Sequence, residues 1–110
     1  MNLSSDLWVY ALIRRVQLAG SVATIVRKGD ATGGAVLVRT YDPRSREARL
    51  YALAQGGGGE SVWMQPLADA AEPDLDAYAE RATKRDPDLW IVEIEDRDGR
   101  RFLTEDVEGG

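Results

Sequence analysis

Asp88, Glu93 and Glu95 are the residues whose types and spacing best suggest chemistry, inside the stretch "DPDLWIVEIEDRDGRRFL" at residues 86–103. Carboxylate oxygens of this kind are donors for a hard cation such as magnesium. The order "PD" then "ExE" also has the donor types of a restriction-type nuclease core. Two things oppose that reading: the spacing is shorter than such a core needs, and the accompanying lysine is missing. The same residues fit a simpler pattern. Trp90, Val92 and Ile94 alternate with Ile91, Glu93 and Glu95, so the two glutamates share the face opposite Trp90. Asp98-Gly99 then carries a two-residue turn signal, and Arg100 and Arg101 would return beside the carboxylates. A half-buried hairpin over about 89–104 with a charged outer face is the preferred reading.

Two further constellations invite the same weighing. In "RKGDATGGAVLV", Lys28, Gly29, Asp30, Gly33 and Gly34 could form an anion nest from backbone N–H groups, with Arg27 nearby. The loop has neither the Lys-Ser/Thr ending of a Walker A loop nor GxGxxG spacing, and it leads into a strand rather than a helix. A tight inter-strand turn is preferred. Arg39, Arg44, Arg46 and Arg49 surround a second turn, with Tyr41 and Tyr51 close by. Arginines interleaved with aromatics can bind RNA on a sheet face. Here Asp42 and Glu47 interrupt the strip, and solubilising charge on a hairpin is the preferred reading. Trp8, Trp63 and Trp90 each sit in apolar runs and read as core.

Composition narrows the chemistry further. The 110 residues contain no cysteine and no histidine, which removes disulfides, thiolate nucleophiles, His-based triads and most zinc sites. No residue can be named as catalytic, and no cofactor is implied. The net charge is −5. Residues 1–55 hold 8 basic against 4 acidic residues, while 56–110 hold 6 against 15. That acidity weighs against nucleic acid as a partner. The first apolar run, Leu7 to Ile13, is too short for a secretory core or a membrane span, so a cytoplasmic protein without membrane contact is expected.

The elements that would position these residues follow from periodicity. A helix over about 6–19 starts from Ser5 as cap, buries Trp8, Leu12 and Val16, and stops at Gly20. A β-meander over about 21–67 follows, interrupted by the flexible connection "GGGGE". A second helix over about 73–85 opens with Pro73 among acidic residues and closes with Arg81, Lys84 and Arg85. The tail "TEDVEGG" is expected to fray. The expected fold is one α+β domain in two layers, a mainly antiparallel sheet of five or six strands packed with two helices. Apolar runs on both faces of the second and third strands call for further cover, from the hairpin or a second subunit.

The order of "LWVYALIRR", "RKGDATGGAVLV", "VWMQ" and "DPDLWIVEIEDRDGRRFL" resembles a small bacterial family, domain of unknown function 1491, over roughly residues 5–103. The resemblance implies a self-standing domain and brings no activity, cofactor or catalytic residue. It lends weight to Gly29-Asp30 and Asp86-Pro87-Asp88 as structural or functional positions. The leading functional expectation is a non-catalytic binding or protein-interaction module, with an unknown protein or a second copy as partner. The alternatives are a nucleic-acid-binding domain and a carboxylate-dependent metal enzyme.

Overall fold

A computed structural model describes residues 4–55, 61–68, 70–103 and 106–108. The "GGGGE" connection, apart from its strand-forming neighbours, lies outside the described residues, as do residues 104–105 and 109–110 of the tail. The elements are α1 (Ser5–Leu18), β1 (Val22–Arg27), β2 (Val36–Asp42), β3 (Glu47–Gln55), β4 (Ser61–Met64), α2 (Glu72–Arg85), β5 (Trp90–Glu95) and β6 (Asp106–Glu108). They build a six-stranded sheet in the order β1-β5-β2-β3-β4-β6.

The α+β class and the mainly antiparallel sheet are as expected, but the topology differs in one decisive place. β5 lies between β1 and β2, antiparallel to the first and parallel to the second. Only β2, β3 and β4 form a meander. The reason is in the side chains of residues 89–92. Leu89, Trp90, Ile91 and Val92 are all buried, so both faces of this strand need cover, and a central position provides it. The hairpin expected over 89–104 is therefore not formed. After β5 the chain makes a turn closed by Gly99 N–H donating to Asp96 O, and residues 100–103 carry no strand. Asp98 keeps negative φ while Gly99 takes +67°, which is not the double positive-φ turn of a tight hairpin. Within the tail expected to fray, Asp106–Glu108 pairs parallel with Val62–Met64 of β4.

The two helices lie on opposite faces of the sheet, so the expected two layers become three. One core gathers Trp8, Val9, Leu12 and Val16 of α1 with Val36, Val38, Tyr51, Trp63, Trp90, Val92 and Ile94. The other gathers Leu75 and Ala82 of α2 with Leu37, Leu50, Leu89 and Ile91. Neighbours along β2 and β5 thus alternate between cores. This division supplies the cover that the apolar runs of β2 and β3 demanded. Each large side chain buried in these layers contributes about 1.5–3 kcal/mol through apolar area removed from water.

The ends of α1 are satisfied in an unexpected way. Ser4, not Ser5, is the extended capping residue, and its side chain makes no bond to the free backbone groups. Instead the N–H groups of Ser5 and Asp6 donate to Thr32 O and Ala31 O, at 3.2 and 2.9 Å. Ser5 is buried and its Oγ donates to Gly34 O at 2.6 Å. At the other end Gly20 adopts φ +83°, as a left-handed stop requires. In α2, Pro73 occupies the first turn and Lys84 and Arg85 the last, matching charge to the helix dipole.

Candidate functional site

Two clusters bring together the residues with chemical potential. The first joins the glycine loop to the start of β5. Asp30 N–H donates to Asp88 O at 3.0 Å, and Trp90 Nε1–H donates to Asp30 O at 2.7 Å. Gly29 and Gly34 close over the same carbonyl, and a Cβ built on either would lie 2.2 Å from Asp88 O. The loop has no room for a tight β1–β2 turn because β5 separates those strands; it bridges the end of β5 instead. Its amides are also occupied. Thr32 and Gly33 donate to Asp30 Oδ2 at 3.2 and 2.9 Å, and Gly34 N–H donates to Asp30 O. An anion nest needs those N–H groups free, and the loop fills it with its own carboxylate. Lys28 is exposed beside it.

The "DPD" turn interlocks with this loop. Asp86 Oδ1 accepts the Asp88 N–H at 3.0 Å, and Arg27 Nη2 donates to Pro87 O at 2.8 Å. Gly29-Asp30 and Asp86-Pro87-Asp88, marked by resemblance alone in the sequence, are thus two halves of one structural clasp.

The carboxylates proposed for a metal do not converge. Asp88 precedes β5, and at about 3.3 Å per residue it stands roughly 16 Å from Glu93 along the strand. Glu93 and Glu95 do share a face, flanked by Thr24 and Val22 on β1 and by Arg39 and Tyr41 on β2. Among the described residues no group of three or more His, Cys, Asp or Glu is arranged to hold a metal ion.

The arginines form no strip either. β2 and β3 pair Arg39 with Leu50 and Thr40 with Arg49, so Arg39 and Arg49 project from opposite faces. Arg39 is bound by Asp76 and approached by Glu72 at 3.7 Å, its side chain only 17% exposed. Arg49 donates to Glu47 at 3.0 Å, and that carboxylate raises its pKa. Arg44 reaches Asp98 at 3.9 Å, and Arg46 stands exposed at φ 63°.

The most organised polar group is one that sequence reasoning passed over. Asp96 is 3% exposed. Its carboxylate accepts from Arg100 Nε and Nη2 at 3.0 and 2.8 Å, from Ser21 Oγ, and from the N–H groups of Asp98 and Arg100. Arg100 first, then Ser21 and the Arg100 N–H, hold its pKa well below the ordinary carboxylate range against the opposing effect of burial. A general acid or base needs the reverse tuning. Asp96 floors an open cleft of about 400 Å³ edged by Gly20, Arg44 and Asp98. The signal was present in "EDRDGR", where an Asp followed by a turn residue pattern bonds its own backbone two residues on.

A family model described as a protein of unknown function, DUF1491, matches residues 3–104. The chain belongs to the DUF1491 family. A crystal structure of a DUF1491 family protein from Caulobacter crescentus is 63% identical with a TM-score of 0.92, covering 96% of this chain and 99% of that one. An NMR structure of a DUF1491 family protein from the same organism is 62% identical with a TM-score of 0.91, covering 99% of each. A solution structure of a protein from A. tumefaciens is 34% identical with a TM-score of 0.79, covering 96% and 95%. No curated protein matches the chain. The DUF1491 family has no assigned function, so the geometry alone must carry a functional reading. No helix among the described residues is long and apolar enough to cross a membrane.

Proposed function

We propose that the protein is a cytoplasmic, non-catalytic interaction module with contact surfaces on α1 and on β1, which present apolar side chains on opposite sides of the sheet. One observation carries this reading: apolar exposure is concentrated on those two elements. Leu7, Tyr10 and Leu18 of α1 are 57%, 46% and 75% exposed, and Val22 and Val26 of β1 are 57% and 53% exposed. The remaining large exposed apolar side chain among the described residues is Met64. α2 makes the contrast, since its outward residues Asp74, Glu80, Lys84 and Arg85 are all charged. An apolar outer face on a helix whose inner face is already buried is a site for a partner. The lack of cysteine supports a reducing compartment. The locked carboxylate of Asp96 supports a structural rather than a proton-transfer role for the best-formed polar cluster. Affinity capture from the native host tests the reading. Wild type should retain a defined partner or itself, and replacing Leu7 and Leu18 of α1 together with Val22 and Val26 of β1 by Lys should lose it while the fold survives. Identical capture by both forms would refute it.

A further inference from the structure

β1 ends the sheet on its side, and its outer row of backbone N–H and C=O groups has no strand partner among the described residues. Proteins usually blunt such edges with charge, proline or a very short strand. The opposite edge follows that rule, since β6 has three residues. β1 has six, and between Val22 and Val26 it carries neither charge nor proline. Its one blunting feature is a bulge at Val26, between Ile25 and Arg27, at the end where Arg27 turns away to Pro87 O, so the regular part of the open edge is Val22–Ile25.

The residues of β1 facing away from α1 are Val22, Thr24 and Val26, all exposed. They read the same in both directions about Thr24. Antiparallel pairing with β1 of a second copy, about a two-fold axis normal to the sheet at Thr24, sets Val22 opposite Val26 twice and Thr24 opposite itself. On the other face Ala23 meets Ile25 and extends the apolar layer beneath α1. A slip of one residue would oppose exposed side chains to ones turned towards α1, so the two-residue period excludes odd registers, and the repeat Val22-Thr24-Val26 centres the even one on Thr24. Charge permits it as well. Glu93 lies beside Thr24, so two copies of Glu93 would stand three strand spacings apart, roughly 14 Å. That exceeds the Debye length of about 8 Å at physiological salt.

We infer that β1 is a homodimerisation edge that pairs antiparallel with β1 of a second copy and centres the two-fold axis on Thr24. This rests on the reading of the protein as an interaction module and names the partner as a second copy of the chain. A paired edge of this length falls at or below the roughly 1,200–2,000 Å² buried by standard stable interfaces, so reversible association in the micromolar range is expected.

Sedimentation velocity of the full chain from about 1 to several hundred micromolar tests it, the range being set by that weak affinity. Wild type should shift reversibly from monomer to dimer. Thr24→Lys sets two ammonium groups opposite each other at the axis and should weaken the dimer at least about ten-fold, because like charges directly opposite destabilise a pair. Thr24→Glu should do the same, and mixing the two variants should restore a dimer containing one of each. Thr24→Cys is independent of charge. The chain has no other cysteine, and facing Cα atoms lie about 4.5–5.5 Å apart, within disulfide reach, so oxidation should give a covalent dimer. A wild type that stays monomeric at several hundred micromolar overturns the inference. So does a dimer unmoved by Thr24→Lys. If the chain is monomeric while Leu7→Lys, Leu18→Lys, Val22→Lys and Val26→Lys together still abolish capture of a partner, self-pairing fails and the interaction-module reading stands. If capture is also unchanged, both fail.

Discussion

Replacing Gly34 by alanine adds one methyl group at the tightest point of the clasp. The new Cβ would lie 2.2 Å from Asp88 O and 3.0 Å from Asp30 N and O, all backbone atoms without a flexible side chain to swing aside. Ordinary carbon–oxygen contact needs about 1 Å more, on the scale of optimal non-bonded separations. The loop or the start of β5 must move by that amount. Three hydrogen bonds stand in the way: Asp30 N–H to Asp88 O, Gly34 N–H to Asp30 O, and Ser5 Oγ–H to Gly34 O. Each contributes about 1 kcal/mol net, and overpacking alone typically costs about 1–3 kcal/mol. With relaxation giving up one of the three bonds, a loss of about 2–4 kcal/mol is therefore expected, a large share of the roughly 5–15 kcal/mol available to a domain. Urea unfolding followed by tryptophan fluorescence measures it, with a fall in Tm of about 8–15 °C as a parallel readout. Gly33→Ala is the internal control, because no atom lies within 4 Å of its Cβ position. It should change stability by no more than about 1 kcal/mol, and in the favourable direction if the backbone angles suit alanine. Equal effects at Gly33 and Gly34, or a loss below about 1 kcal/mol at Gly34, would refute the clasp.

Trp90→Ala removes a side chain with no exposure and should cost about 3–5 kcal/mol in the same unfolding assay. Asp96→Ala strips the partner from Arg100, Ser21 and two N–H groups and should cost about 1–3 kcal/mol at pH 7. The folded pKa of Asp96 is depressed, so its contribution is full above the unfolded value near 3.9 and is lost as pH falls through the folded value. The stability gap between wild type and Asp96→Asn should therefore stay constant above about pH 5 and close below about pH 4, in urea midpoints taken across that range. Titrating the wild type with magnesium or manganese should give no heat; millimolar-or-better binding lost in Glu93→Gln with Glu95→Gln would revive the metal reading. Mixed-sequence RNA or DNA oligomers should bind no tighter than about 10 μM at physiological salt by fluorescence anisotropy, weaker than specific complexes usually are.

Much of the local structure was legible because it is written in short-range terms. The apolar spacing of Trp8, Leu12 and Val16 marks α1, and Pro73 with the flanking charges marks α2 within a residue. The β-branched runs mark β1 and β2, the apolar run of "ARLYALAQ" marks β3, and the α+β class follows. What escaped was pairing. Alternation in "WIVEIE" was weighted over the unbroken run Leu89–Val92, so a central strand was read as half of an edge hairpin. That single misreading also misplaced the glycine loop as a β1–β2 turn and the two helices as a single layer. The candidate sites failed for a related reason. Residue types close in sequence, such as Arg39 and Arg49, are divided between faces by strand register, which no local pattern reveals. Asp96 escapes a local reading because "EDRDGR" also fits a hairpin turn, and the partner that fixes it from outside that segment, Ser21, lies 75 positions away.

The central seat of β5 also governs the order in which the molecule can be made. β1 is synthesised well before β5, its one strand partner among the described residues, which lies some seventy positions further along. β2 likewise waits for β5 on one of its sides. Until residues 90–95 emerge, β1 has no strand to join, and the β2–β4 meander exposes an open inner edge. Closing contacts that distant in sequence costs loop entropy before any burial repays it, which slows folding and lengthens exposure of the unfinished edge. A nascent chain of this protein therefore reaches its cooperative fold only once β5 has emerged, and a stop anywhere before β5 yields an aggregation-prone fragment rather than a smaller domain.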